Sequence, residues 1–466
     1  MRKSLAFGFL GAALAVVMAC GSTSTRVFGD EVDGGGSSGE DLEGGSSGFV
    51  KGDASVAPPC VGLACMQVAC GGGATTSVSG IVWDPAGKNP VYNVVVYVPN
   101  APLADIKHGP VCDSCGGAPI SGNPLVTTLT DATGAFTLKN VPVGADIPIV
   151  MQVGKWRRQI TLKTKPIECQ DNPITDVQLT RLPRNKTEGD MPLIALTSGC
   201  DPIHTLVQKI GVDPAEITAA SGTGMVRVYN GRGYTVPGVT GATDAYAFWG
   251  SLTEMMKYDI IINECECSPY ARDTMGPAYE NMRQYLDTGG RVFNSHYHLN
   301  FFGSSSENGG KAAQELQSAA NWALWSGGGG GGSPFLIDTT FPKGKAMDEW
   351  LNNLPGKSKW GPSIKTSPKG QIITSNVGDI GTAKPGLSQR WIYPSTGTSS
   401  VYISINTPTS KPAAERCGRA VATDIHVGNG SLTSMTEQEA ALEFMFFDLA
   451  SCVIDDATPP TAPGPK

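Results

Sequence analysis

The sequence predicts an α/β plus β protein: a small antiparallel β-sandwich followed by a parallel-sheet α/β domain with extra late strands. Short alternating runs punctuated by Gly, Pro and Asp turns occupy the first folded stretch, as antiparallel strands require. Continuous apolar runs alternating with helical spacing occupy the second, the pattern of parallel strands joined by crossovers. Between them lies a Pro/Arg/Asn-rich joint, Arg181 to Asp190, where the rhythm changes. The implied order is a leader over 1–20, a tether over 21–59, a sandwich with a Cys-rich start over 60–180, an α/β domain over 190–455 and a disordered, proline-rich tail over 456–466.

The leader carries Arg2-Lys3, an apolar run from Leu5 to Met18, and Val17-Met18-Ala19-Cys20. This is the pattern of a secretory signal closed by a bacterial lipobox, which makes Cys20 the lipidation site and the first residue of the mature chain. The expected address is extracytoplasmic, lipid-anchored to the bacterial cell envelope, with the outer membrane favoured and the membrane as a partner through the lipid. Residues 21–59 are mostly Gly, Ser and acid, too poor in aromatic and branched residues to build a core, and such a coil spans roughly 35 Å. With 35 basic and 42 acidic residues the net charge is -7, which gives no basic surface for nucleic acid.

Twelve cysteines suit an oxidising compartment. Cys60, Cys65, Cys70, Cys112, Cys115, Cys169, Cys200, Cys417 and Cys452 are the disulfide candidates, Cys112-Asp113-Ser114-Cys115 being read as structural rather than redox or metal-binding. Once Cys20 carries lipid, eleven cysteines remain, so at least one thiol is left over.

In the sandwich region, strands are expected at Ser77 to Trp83, Val91 to Val98, Ala135 to Leu138, Ile147 to Val153 and Arg158 to Leu162, with a turn at Asp131-Ala132-Thr133-Gly134. Trp156 within Lys155-Trp156-Arg157-Arg158 is expected to be core rather than part of an exposed binding strip. Ser79-Gly80-Ile81-Val82-Trp83-Asp84-Pro85, Thr130 to Phe136 and Val141-Pro142-Val143-Gly144 resemble the carboxypeptidase regulatory-like (transthyretin-like) domain over about residues 76 to 165. That resemblance implies a prealbumin-like sandwich, grouped with carbohydrate-binding-like folds and used as a non-catalytic spacer or binding module.

Beyond the joint, strands are expected at Met191 to Thr197, Met225 to Tyr229, Tyr258 to Ile262 and Arg291 to Asn294. Helices are expected at Pro202 to Ile210, Leu252 to Lys257 and Pro277 to Asp287. Six consecutive glycines within Ser326 to Ser333 lack the order of a phosphate loop and read as a flexible insertion. A helix at Ala346 to Leu354 precedes late strands near Gln371 to Thr374, Gln389 to Tyr393, Val401 to Asn406 and Arg419 to His426. An amphipathic helix from Met435 to Cys452 closes the domain, with Ser434 and Glu437 fitting a capping box and Leu442, Met445, Phe446 and Leu449 forming a core stripe. The sequons at Asn185 and Asn429 carry little meaning behind a lipobox.

Ligands of open parallel sheets bind beyond the carboxyl ends of the strands. Four such tails carry chemistry here: Ser198-Gly199-Cys200-Asp201, Glu264-Cys265-Glu266-Cys267, Ser295-His296-Tyr297-His298 and Asp424-Ile425-His426. They hold three of the five histidines in the chain. If the last two tails are extended, their period-two spacing places His296 with His298, and Asp424 with His426, on single faces. Those four residues are the metal candidates, and a divalent ion is the cofactor such a set would hold. The competing reading is that they bond strand-end backbone or neighbouring residues. Glu264, Glu266 and His296 are the catalytic candidates, the carboxylates as general acid and base.

Tyr258 through Tyr285-Leu286-Asp287-Thr288-Gly289-Gly290-Arg291-Val292-Phe293-Asn294-Ser295-His296 resembles the class I glutamine-amidotransferase-like superfamily, particularly its trehalose-utilisation type, over about residues 191 to 330. The resemblance implies a flavodoxin-like sheet with a nucleophilic cysteine at an elbow. His296 stands at that position, and neither Cys265 nor Cys267 does, which argues against glutaminase chemistry. End to end, the chain resembles bacterial surface lipoproteins that pair these two domains. The expectation is therefore a non-catalytic envelope binding protein with a glycan or cell-wall ligand. The alternative is a secreted hydrolase or sugar-acting enzyme with a His/Asp site, metal-dependent or not, and a third reading is a structural or adhesive protein.

Overall fold

The computed structural model describes residues 60–464 except 114, 116–119, 268–274, 305–313, 325–334, 355–370, 373–378, 425, 427–430 and 434. The leader with Cys20, the tether, the glycine run, Ser434 and the second sequon lie outside the described residues. Residues 59–466 form one compact unit.

The first seven strands are β1 (Ser77–Ile81), β2 (Val95–Pro99), β3 (Pro124–Leu129), β4 (Ala135–Lys139), β5 (Ile147–Val153), β6 (Trp156–Leu162) and β7 (Asp171–Ile174). They form two sheets, β4-β1-β7 and β3-β2-β5-β6. The inward set Ile147, Ile149, Met151 and Val153 on β5 is buried, as alternation demands. The turn before β4 is held by Asp131, whose Oδ1 accepts from the Thr133 amide at 2.8 Å and the Thr133 hydroxyl at 2.7 Å. Strands β3 and β7 have no counterpart among the sequence expectations. β3 opens on Pro124 and β7 carries Pro173 inside a polar four-residue run, which weakens the alternation signal.

The sandwich is not wholly antiparallel, because β7 runs parallel to β1. The Cys70–Cys169 disulfide and the Cys169 amide bonded to Thr76 Oγ1 at 2.9 Å bring the returning chain alongside the start of β1 in the same direction. Trp156 is fully buried and Arg157 is buried and paired with Asp190, while Lys155 and Arg158 on either side are half-buried.

Further strands are β8 (Ile194–Ser198), β9 (Ile217–Ala219), β10 (Val226–Asn230), β11 (Thr243–Asp244), β12 (Ile260–Asn263), β13 (Arg291–Ser295), β14 (Ala320–Asn321), β15 (Phe335–Ile337), β16 (Gln371–Ile372), β17 (Thr382–Ala383), β18 (Ser388–Pro394), β19 (Tyr402–Thr407) and β20 (Gly418–Thr423). One mixed sheet has the order β11-β10-β8-β12-β13-β20-β19-β18-β15-β16, with β9 on β10, while β14 pairs with β17. From β11 to β20 every neighbour is parallel; from β20 to β16 every neighbour is antiparallel. Strands β8, β12, β13 and β20 are buried at every residue, since both faces are covered. The order of travel across the sheet reverses between β8 and β12, so their carboxyl ends flank a crevice.

The last helix, Glu437–Ala450, departs from the amphipathic expectation. Its apolar stripe is buried, but so are Glu439, Glu443 and Asp448 on its other faces. One side packs on β13 and β20, and the sandwich closes the other: Tyr92 stacks on Phe444 at 5.5 Å, and Trp156 meets Phe446 and Phe447 edge-on. Gly154 follows β5 with φ +54, and a Cβ there would strike the Ala450 carbonyl, so only glycine permits this approach. The buried charges are paired, Glu439 with Lys209 and Asp448 with Lys343 and Arg419. The capping box is formed by Thr436 and Glu439 rather than Ser434 and Glu437. The Thr436 hydroxyl accepts the Glu439 amide and the Glu439 carboxylate accepts the Thr436 amide.

All nine disulfide candidates pair, and Cys267 joins them: Cys60–Cys65, Cys70–Cys169, Cys112–Cys417, Cys115–Cys452 and Cys200–Cys267. Cys112 and Cys115 bind distant partners rather than each other, tying a sandwich loop to the α/β body. Among the described residues no helix is long and apolar enough to cross a membrane.

Candidate functional site around Cys265

The carboxyl ends of β8, β12, β13 and β20 converge on one thiol. Cys265, two residues past β12, is the free cysteine among the described residues and is fully buried. Its Sγ lies 3.6 Å from His296 Nδ1 and accepts the Cys267 amide at 3.3 Å. Its carbonyl accepts the Cys200 amide at 2.7 Å, which docks the β8 tail on the β12 tail. Gly199 is needed there, because a Cβ would overlap the Glu264 and Cys265 carbonyls. The Cys200–Cys267 disulfide closes the same two tails together.

His296 follows β13 directly, and its far nitrogen Nε2 donates to Asp379 Oδ2 at 3.0 Å. Asp379 is placed in turn by Asp424, whose Oδ2 accepts the Asp379 amide at 2.9 Å and the Ile380 amide at 3.2 Å. On the other side of the thiol stands His426, its ring 4.9 Å from that of His296 and its Nδ1 3.5 Å from Asp201 Oδ2. Asp201 also accepts the Ser295 hydroxyl at 2.9 Å. His426 is about half exposed, whereas the other members are enclosed.

These contacts set the charge states. Burial opposes the Cys265 thiolate, but hydrogen bonds from His296 and His426 outweigh it and bring the thiol down to about 7. Burial likewise works against protonated His296, and the Asp379 and Cys265 contacts reverse it, leaving the imidazole raised. Asp201, then Cys265, push His426 up to about 10. Burial raises Asp424 to about 7 against the pull of the Ile380 amide.

The four proposed metal candidates do not assemble. His296 is at φ +21 and opens a 3-10 turn, His296–Phe301, so His296 and His298 are not on one extended face. His298 points away, donating from Nε2 to the Glu264 carbonyl at 2.7 Å and packing against Trp249 and Phe301. Burial drives it down to about 3. Asp424 is occupied with backbone amides, as the competing reading anticipated for this group, and Ile425 lies outside the described residues. His296 and His426 do meet, but around sulfur. The ligating atoms of Cys200, Cys265, Cys267 and His426 all fall within 4.8 Å of one another, a Cys3His group the sequence analysis did not identify.

Glu264 is buried against the β8 tail, accepting the Gly199 amide at 2.9 Å, the His204 amide at 2.6 Å and His204 Nδ1 at 3.0 Å. Burial raises it and the His204 contacts oppose that rise. It is a bracket between loops. Glu266 is buried, with its carboxylate against the backbone of Gly231. Neither carboxylate shares the Cys265 contact as a general acid or base. Cys265 and Asp201 stood in the strand tails singled out from the sequence but were given no role there, and Asp379 was missed.

No protein-family model matches the chain. No curated protein matches it. Among solved structures, a ThuA-like protein from Bacteroides uniformis ATCC 8492 aligns with 54% of this chain and 89% of its own, at 9% sequence identity and a TM-score of 0.26. That likeness is weak and general, and the mixed α/β architecture with separate β-sheets rests on the strands described above.

Proposed function

We propose that the protein is an extracytoplasmic hydrolase of the acyl-transfer class, with Cys265 as nucleophile, His296 as acid and base, and Asp379 orienting the imidazole. The observation that carries this reading is the relay Sγ to Nδ1 at 3.6 Å and Nε2 to carboxylate at 3.0 Å, set at the reversal point of the sheet. The Cys265 proton passes to His296 Nδ1 as Sγ bonds to the substrate carbonyl carbon. The leaving group then departs with the proton from Nδ1. Water attacks the resulting thioester while His296 takes its proton; the acid leaves and Cys265 regains the thiol hydrogen. Asp379 holds the ring with Nδ1 toward sulfur throughout, and the Cys267 amide supports the charged sulfur.

The Cys3His group does not favour a metal hydrolase. Four protein ligands close a tetrahedral zinc and leave no position for water. The thiol is enclosed, and His426 is the half-exposed member of the cluster around it. That enclosure is also what a non-catalytic binding protein would show, the second reading. The five disulfides among the described residues support an oxidising compartment, and we propose that the chain is held on the cell envelope through a lipid on Cys20.

Hydrolysis of activated esters and amides separates the readings. The wild-type protein should turn them over, Cys265→Ser should not, and His296→Ala should be slower by roughly 10²–10⁴-fold. Equal rates in all three would leave the binding reading.

A further inference from the structure

The crevice holds a second constellation that shares Cys265 with the relay and draws its other members from outside it. Cys200 and Cys267 come from the β8 and β12 tails, Cys265 lies between them, and His426 reaches in from beyond β20, with all four ligating atoms within 4.8 Å. A tetrahedral zinc has bonds of about 2.3 Å to sulfur and about 2.0 Å to nitrogen, so closing this group around an ion takes shifts of only about 1 Å. Cys200 and Cys267 are joined as a disulfide here, and their sulfurs cannot serve as thiolate ligands in that state. We propose that reduction of the Cys200–Cys267 bond creates a closed Cys3His site for a zinc-class divalent cation, and that reoxidation abolishes it.

Three thiolates and one imidazole are soft donors, which suits zinc and disfavours magnesium or calcium. Asp201 already lies 3.5 Å from His426 Nδ1, so the ring offers Nε2 to the ion while the carboxylate fixes its orientation. The exchange balances: a dithiol reductant gives up two electrons and two protons, becomes a cyclic disulfide, and leaves two thiols on Cys200 and Cys267. Binding then releases the protons of the thiols that become ligands. The ion would take the sulfur assigned above as nucleophile. Silencing of the hydrolase therefore rests on that reading, whereas metal binding does not.

The test uses the mature chain, reduced with a dithiol, freed of reductant without air, and titrated with Co2+ alone. Reduced wild type should bind one ion per chain with thiolate-to-cobalt charge-transfer absorption. The oxidised protein should lack that band, reduced Cys265→Ser should bind more weakly with a band diminished by the lost thiolate, and Asp201→Ala should bind roughly 10–100-fold more weakly. Cys265→Ser keeps every disulfide cysteine, so wild-type binding by that reduced variant would assign the metal to thiols elsewhere and overturn the proposal. Equal binding by oxidised and reduced wild type would do the same. Ester hydrolysis by the oxidised, metal-free protein is scored separately, so loss of the hydrolase reading leaves the cobalt result interpretable.

Discussion

At the scale of single residues, the chemistry of Cys265 comes from what four strand tails deliver around it. Its position in the relay makes Asp379 a positioning residue, and its effect should be felt through the ring rather than on substrate. Asp379→Asn should lower kcat with little change in KM, because the substrate contacts remain while His296 loses its fixed orientation; steady-state kinetics on an activated ester checks this. An unchanged kcat would remove Asp379 from the account. His296 was legible because a histidine directly after a buried strand is exposed to the crevice of a parallel sheet. Cys265 was visible as a member of a strand tail and, through the odd count of eleven, as a candidate unpaired thiol, but neither signal gave it a role. Asp379 had no signal, for it lies in a loop between β16 and β17 and reaches the site through the packing of Asp424. The HxH spacing misled because period-two logic holds only for extended chain, and His296 leaves β13 at positive φ.

At the scale of elements, the helix Glu437–Ala450 is the clearest case of tertiary context overruling a sequence pattern. Its apolar positions were legible, but its charged positions read as a solvated face. They are instead a buried polar seam, Glu443 meeting Asn89 of the sandwich while Lys209, Lys343 and Arg419 of the α/β body pair with Glu439 and Asp448. Lys209→Met leaves Glu439 charged and without its cation in that seam, and should cost about 3–5 kcal/mol in urea unfolding. Within the same seam, Glu443 lies against Asp84 and Asn89, with Lys88 nearby. Burial raises Asp84 to about 7, and burial together with the Asp84 charge raises Glu443. The folded state thus holds protons that the unfolded chain has released. Stability from this pair is complete below the ordinary carboxylate range and is lost as pH rises through about 7. The melting temperature of the wild type should therefore fall more steeply between about pH 5 and about pH 8 than that of Glu443→Gln. Parallel curves would show that the pair does not titrate in this range.

At the scale of the whole molecule, the sandwich and the α/β body share one core, and Cys112–Cys417 and Cys115–Cys452 bridge sequence separations of 305 and 337 residues. Removing the first bridge as Cys112→Ser, Cys417→Ser should lower stability by about 2–4 kcal/mol while calorimetry still shows one transition. Two separate transitions would mean the halves fold independently. The two-part order was legible because strand alternation and helix spacing are local signals. The joining was not, since neither disulfide connectivity nor the seam around the last helix is written in any local pattern. What that joined fold presents at the end of its parallel strands is the claim on which the functional account stands. Rapid quenching of the protein with an activated ester, followed by intact-mass and peptide analysis, tests it most directly. A transient acyl thioester on Cys265 should accumulate in the wild type and be absent in Cys265→Ser. An acyl group on any other residue, or turnover with no covalent species under conditions that trap thioesters, would contradict it.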